Sequence, residues 1–145
     1  MPERADLGTR RTMLQALAVL LAVPVFAPLA AAQEAIPGAP DFSAVTTKRA
    51  AQQLVREGRL VRISLFPIEL GGSDDAMNVS FITPEAADVR EMVIGSLRRF
   101  LEQDMIDRLN VQPDYKGDSI VPSRITMSAS HSGREGSINT AIEVW

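Results

Sequence analysis

The most clearly patterned segment of this chain is TPEAADVREMVIGSLRRFL, residues 83–101. Thr83 is a good N-cap, Pro84 suits the first helical position, and Glu85 complements the positive end of the helix dipole. Gly95 lowers the helix propensity and would allow a strand to approach closely. An apolar stripe follows at helical spacing, formed by Ala86, Val89, Val93, Leu97, Phe100 and Leu101. The segment therefore predicts a long amphipathic helix that covers one face of a sheet.

Two aspartates interrupt this stripe at its C-terminal end. Asp104 and Asp107 would both face the core if the helix ran straight. We therefore expect the helix to bend, or to restart with Asp104 as a cap, before Asn110 ends it.

The residues before this helix indicate one shorter helix and two strands. A helix is expected over about residues 43–57, with Gly58 placed to stop it. Residues 59–66 alternate between apolar and polar side chains, which is the period of a half-buried strand. A short strand is expected at residues 78–82.

The residues after the long helix indicate β-structure. A short strand is expected at Val111, and two alternating runs, residues 124–130 and 137–145, predict an antiparallel hairpin joined by the loop 131–136. The element order α-β-β-α-β-β-β places the chain in the α+β class. We expect a small single domain over residues 41–145, with an antiparallel sheet of about five short strands, the long helix on one face and a shorter N-terminal helix.

The first 32 residues have the organisation of a cleavable signal peptide. A charged segment runs to Arg11, an apolar stretch covers residues 13–23, and Ala30-Ala31-Ala32 provides an A-x-A cleavage site before Gln33. Pro24 interrupts the apolar stretch well before the roughly 20 residues that a membrane anchor needs. We therefore expect cleavage, with no membrane span in the mature chain, and a periplasmic or secreted bacterial protein.

The route of export has two interpretations. Residues 9–15 (TRRTMLQ) resemble the twin-arginine export signal, in which two arginines follow a small hydroxyl residue and precede two apolar residues. Alternatively, Arg10 and Arg11 supply the positive end of a general secretory signal. After cleavage, residues 33–40 carry two prolines and one glycine, which is typical of a flexible spacer.

Composition excludes several classes of function. The chain has no cysteine, which removes disulfides, zinc–thiolate sites, iron–sulfur clusters and a thiol nucleophile. The first 32 residues contain three of the 15 basic and two of the 18 acidic residues, so the mature chain holds 12 basic and 16 acidic residues, a net charge of −4. Nucleic-acid binding is not expected, because it requires a basic face.

His131, the single histidine, is the first candidate for a catalytic group. It could act as a general base or a metal ligand, with Glu135 as the nearest carboxylate. The alternative is a solvated turn residue, which we favour because a single histidine has no partner motif; no G-x-S-x-G nucleophile motif is present either.

Two pairs of carboxylates are the remaining candidates. Asp104 and Asp107 could work as a general acid and base, although pairing with Arg108 is the simpler interpretation. Asp74 and Asp75 could bind calcium, but their spacing departs from the calcium-loop pattern, so solvated charge is preferred. We expect neither a cofactor nor a resident metal ion.

These observations favour a non-catalytic binding or interaction domain whose partner is an unidentified protein or small molecule. The alternatives are a small hydrolase that uses His131 with a loop carboxylate, and a structural protein that self-associates through an uncovered sheet face. Convergence of His131, Arg124 and an acidic residue in one pocket would favour the hydrolase. Trp145 is expected to pack at the sheet edge.

Overall fold

A computed structural model describes residues 40–145. The predicted signal peptide, the twin-arginine pattern and spacer residues 33–39 lie outside the described residues. Within residues 40–145, no helix has the length and apolarity needed to cross a membrane.

Two helices and five strands follow the predicted order, which confirms the α+β class. Two short 3-10 helices lie between the first and second strands, at Ile68–Leu70 and Ala76–Asn78. The principal elements are α1 Lys48–Arg56, β1 Val61–Ser64, β2 Val79–Ile82, α2 Pro84–Glu102, β3 Arg108–Asp114, β4 Arg124–Ser130 and β5 Ser137–Glu143.

The five strands form two antiparallel sheets rather than the single sheet that was expected. Strands β1 and β2 pair with each other, and the second sheet has the order β3-β4-β5. Helix α2 contacts both β1 and β5, so it joins the two sheets through its buried side. The predicted hairpin is confirmed, with Arg124 opposite Glu143 and Ser130 opposite Ser137.

Helix α1 is shorter than predicted because Thr47 caps it. The Thr47 side chain accepts a hydrogen bond from the backbone N–H of Ala50 at 3.2 Å, so the helix begins at Lys48 and not at Ser43. Gly58 follows its C-terminal end with a φ of 72°, as expected of a helix-stopping glycine.

Helix α2 begins as the sequence predicts. Thr83 is the N-cap, and its side chain accepts a hydrogen bond from the Ala86 N–H at 3.3 Å. Its buried face differs from the predicted stripe, because Val89 and Leu101 are 41% and 44% exposed. The side chains that are fully buried on α2 are those of Ala86, Arg90, Ile94 and Leu97.

No strand of the described residues approaches Gly95, contrary to the expectation from the sequence. A Cβ atom built on Gly95 would have no heavy atom within 4 Å outside the helix's own backbone and the adjacent residues. The missing side chain of Gly95 is therefore not needed to make space for another element.

Helix α2 ends at Glu102, so the predicted bend or restart toward Asn110 is wrong. Asp104 adopts a left-handed conformation with a φ of 53°, and its N–H donates to Leu101 O at 3.1 Å. The Met105 N–H donates to Phe100 O at 2.8 Å. These two hydrogen bonds form a Schellman motif, which terminates a helix and usually has glycine at the left-handed position. Strand β3 can then begin at Arg108.

The core lies between the helices and the inner faces of the two sheets. Its fully buried large side chains include Phe42, Leu60, Ile82, Ile125, Met127 and Ile142. The outer face of the β3-β4-β5 sheet is exposed along both edge strands and is polar, with Asn110, Gln112 and Asn139 among its residues. Among the described residues of these three strands, this outer face therefore presents polar side chains and Ala141 to a self-associating copy.

Candidate functional site

The structure brings Asp104 close to His131 at one end of the three-stranded sheet. His131 Nε2 lies 3.5 Å from Asp104 Oδ1. His131 Nδ1 accepts a hydrogen bond from the Gly133 N–H at 2.9 Å, so the proton of the neutral imidazole is on Nε2 and faces the carboxylate. Arg134 donates to the carbonyl oxygen of Asp104 at 2.6 Å and to Oδ2 at 3.2 Å.

Asp107 binds the loop between β4 and β5, residues 131–136, through Ser132. Its Oδ1 accepts a hydrogen bond from the Ser132 N–H at 2.7 Å, and Oδ2 accepts one from the Ser132 hydroxyl. The Ser132 hydroxyl contributes most to holding the pKa of the Asp107 carboxyl below its usual range, and the Ser132 N–H and His131 add to the effect. Neither aspartate lies on a helix, although the sequence predicted that both would lie in a bent or restarted continuation of α2.

Two further residues from the sequence have different positions. Glu135 lines a shallow cavity of about 290 Å³ beside His131, together with Met105, Ile106 and Ile138. Arg124 lies at the opposite end of β4, where its Nε donates to Glu143 Oε1 at 2.6 Å. His131 and Arg124 therefore do not converge in one pocket.

The His131 cluster has part of the geometry of a catalytic triad. An acidic residue faces one imidazole nitrogen, as a triad requires. The other nitrogen should accept a proton from a nucleophilic hydroxyl, but it accepts the Gly133 N–H instead. The neighbouring Ser132 hydroxyl is bonded to Asp107 and not to the imidazole. The observed contacts instead clamp the β4–β5 loop onto the segment between α2 and β3.

Asp75, and not the Asp74–Asp75 pair, caps the 3-10 helix Ala76–Asn78. Asp75 Oδ1 accepts hydrogen bonds from the N–H groups of Met77 and Asn78 at 2.8 and 3.1 Å, and Oδ2 accepts one from Ser73 Oγ at 2.5 Å. The Ser73 hydroxyl, followed by the Met77 N–H, lowers the pKa of Asp75. Asp74 is exposed. Among residues 40–145, no group of three His, Asp or Glu side chains is placed to hold a metal ion.

Arg90 is a buried charge that the sequence pattern did not reveal. The residue is 5% exposed, its guanidinium donates to the carbonyl oxygen of Ser64, and its Nη1 lies 3.2 Å from Glu91 Oε1. Its Nε atom is buried and has no hydrogen-bond partner among residues 40–145. Burial lowers the pKa of this group, while Glu91 and Glu69 oppose the effect. Arg90 thus links α2 to β1, at a position where helical periodicity alone would place an apolar residue.

Trp145 is a packed structural residue, as expected. Its ring meets that of Phe42 edge to face at 6.1 Å between centroids, and its Nε1 donates to Val121 O at 3.2 Å. The Lys116 ammonium lies 4.5 Å from the centre of the indole ring.

An apolar groove between α2 and β5 was not predicted. It has a volume of about 220 Å³ and is lined by Val89, Met92, Val93, Ser96, Leu97 and Phe100 of α2 and by Ile138 and Thr140 of β5. Met92, which lines this groove, is 67% exposed. The exposed positions Val89 and Met92 lie three residues apart on α2, which places them side by side on the helix surface. This spacing is the feature of the sequence from which the groove could have been predicted.

The groove adjoins a strand edge that lacks the usual protection. Strand β5 pairs with β4 on one side and with no described strand on the other. Edge strands commonly carry charges or proline, which prevent unwanted pairing. The other edge strand, β3, has Arg108 at its start, Pro113 near its end and Asp114 at its end. On β5, only the terminal Glu143 is charged. We call this edge and the adjoining groove the β5–α2 surface.

Comparisons of the chain with protein-family models, with curated proteins and with solved structures find no significant match.

Proposed function

We propose that this chain is an exported, non-catalytic interaction domain that binds its partner through the β5–α2 surface. The observation that carries the proposal is an unprotected strand edge directly beside an apolar groove. The sequence supports the location, because residues 1–32 have the organisation of a signal peptide for delivery to the periplasm or the medium.

Strand addition is the binding mode that this surface suits. A partner strand paired with β5 would form main-chain hydrogen bonds along the edge. Alternate side chains of that strand would face the same side of the sheet as Ile138 and Thr140, and would enter the groove beside Met92. Main-chain bonds then supply affinity, while the shape of the groove supplies selectivity.

A small hydrolase is the second candidate, and the 3.5 Å approach of His131 to Asp104 favours it. It would require Gly133 to release His131 Nδ1 and a hydroxyl to take that place. The binding proposal requires no such rearrangement, so we prefer it.

Photocrosslinking in the native host tests the binding proposal. A photoreactive amino acid in place of Met92 should form a discrete covalent adduct, while the same group in place of the exposed Asn110 on β3 should not. The adduct should be lost when Val89→Glu is added, because a carboxylate would then enter the apolar groove. Val89 is exposed and glutamate is a good helix former, so the variant should remain folded. Absence of any adduct at Met92, or an adduct that Val89→Glu leaves unchanged, would contradict the proposed function.

A further inference from the structure

We propose that the partner at the β5–α2 surface is a second copy of this chain, paired through β5 about a twofold axis. This inference rests on the proposed function, and it adds the identity and the geometry of the partner. The resulting dimer would have one continuous six-stranded antiparallel sheet, in which the two β5 strands lie at the centre.

Strand β5 is complementary to itself in the register that pairs all seven of its residues. Thr140 lies opposite its own copy, Ile138 opposite Ile142, Asn139 opposite Ala141, and Ser137 opposite Glu143. Apolar side chains thus meet on the inner face, where Ile142 is already buried. No like charges lie opposite each other, which is a condition for stable pairing.

The charge at the end of β5 is balanced within each chain. Glu143 Oε1 accepts a hydrogen bond from Arg124 Nε of the same chain at 2.6 Å. In the dimer, Glu143 would face the neutral Ser137 of the second copy. The pairing therefore places no carboxylate next to another.

The helices would complete this dimer. A twofold axis perpendicular to the sheet keeps the inner faces of both sheets on the same side, so both α2 helices lie on that side. The two grooves then face each other across the axis, and Val89 and Met92 of each copy become covered. Burial of exposed apolar side chains at the centre of an interface is the main driving force of stable association.

The other edge of the sheet is less suited to this role. Strand β3 includes Pro113, which has no N–H to donate to a neighbouring strand. A sheet with one protected and one unprotected edge forms a closed pair of chains rather than an open fibre.

Cysteine crosslinking tests the geometry, and the absence of native cysteine makes each introduced thiol unique. In the processed chain recovered from the host, Thr140→Cys should form a disulfide-linked dimer under mild oxidation. The two Cβ atoms at directly opposed positions are about 4.5–5.5 Å apart. Asn139→Cys is the matched control in the same strand, because its copies are diagonal neighbours about 7–8 Å apart. Gln112→Cys provides a control on the β3 edge.

Sedimentation equilibrium provides the independent measurement. The wild-type chain should have twice the mass of one chain, and Val89→Glu should reduce this mass to that of a monomer. Equal crosslinking of Thr140→Cys and Asn139→Cys, or efficient crosslinking of Gln112→Cys, would overturn the proposed pairing.

The outcomes separate this inference from the function on which it rests. A monomeric wild type whose Met92 photoadduct contains a different protein would contradict the proposal that the partner is a second copy. The proposal that the β5–α2 surface is a binding site would still stand. A monomeric wild type that gives no adduct at Met92 would overturn both proposals.

Discussion

His131 Nε2 lies 3.5 Å from Oδ1 of Asp104, a residue whose backbone is in the left-handed conformation. A φ of 53° at Asp104 ends helix α2 and turns the chain toward β3. This conformation is sterically unfavourable for a residue with a Cβ atom, although aspartate tolerates it better than most residues. The clamp on the β4–β5 loop therefore depends on a conformation that glycine adopts more easily.

Two substitutions separate the backbone cost at Asp104 from the loss of its carboxylate. Asp104→Ala and Asp104→Gly both remove the contacts with His131 and Arg134, but only alanine retains the steric cost of the left-handed conformation. We expect Asp104→Ala to be less stable than Asp104→Gly by about 1 kcal/mol in urea unfolding. Equal stabilities would show that the helix ends without the Schellman geometry in the variants.

Asp107 should make the fold sensitive to acid. The Ser132 hydroxyl lowers the pKa of Asp107 in the folded state relative to the unfolded value of about 3.9. The resulting stabilisation is complete above the unfolded pKa and is lost as the pH falls through the folded pKa. Unfolding free energies measured between about pH 5 and pH 2 should therefore fall more for the wild type than for Asp107→Asn. Ser132→Ala, which removes the main cause of the shift, should reduce the wild-type slope, and an unchanged slope would contradict this account.

Local patterns in the sequence predicted those features that depend on neighbouring residues. The N-cap at Thr83 and the alternation in β4 and β5 are local signals, and the structure confirms both. The end of α2 was not predictable, because an aspartate at the left-handed position carries no signal comparable to that of glycine. The approach of His131 to Asp104 depends on the packing of elements that are distant in sequence. The burial of Arg90 depends likewise on a carbonyl group of β1.

Arg90 provides a test of how much a buried charge stabilises this fold. Its Nε atom has no partner, and desolvation opposes its charge. We expect Arg90→Met, which retains most of the side-chain volume, to leave the unfolding free energy unchanged or to raise it. Arg90→Ala should lower it by about 2–5 kcal/mol, because a cavity would form between α2 and β1. A large loss in Arg90→Met would show that the bond to the Ser64 carbonyl outweighs the desolvation.

Gly95 and Gly72 should respond oppositely to alanine. A Cβ atom at Gly95 meets open space on α2, so Gly95→Ala should stabilise the chain by about 0.5–1 kcal/mol through helix propensity. A Cβ atom at Gly72 would lie 2.9 Å from the carbonyl oxygen of Pro67 and closer still to that of Phe66. Gly72→Ala should therefore destabilise by about 1–3 kcal/mol. Thermal unfolding checks both values, and the same sign for the two variants would contradict the described packing.

His131→Ala distinguishes the interaction domain from a hydrolase. Within the described part of the chain the imidazole has no hydroxyl partner, because Nδ1 accepts the Gly133 N–H and the Ser132 hydroxyl is hydrogen-bonded to Asp107. We expect the wild type to show no turnover on a panel of ester, peptide and glycoside substrates, and His131→Ala to keep its fold and its Met92 photoadduct. The β4–β5 loop should remain held, since Arg134 and Asp107 provide separate contacts. Ser132→Ala removes the neighbouring hydroxyl and tests whether it acts as a nucleophile. Turnover in the wild type that both His131→Ala and Ser132→Ala abolish, in chains with unchanged circular dichroism, would show that both side chains are required for catalysis and would replace the non-catalytic assignment.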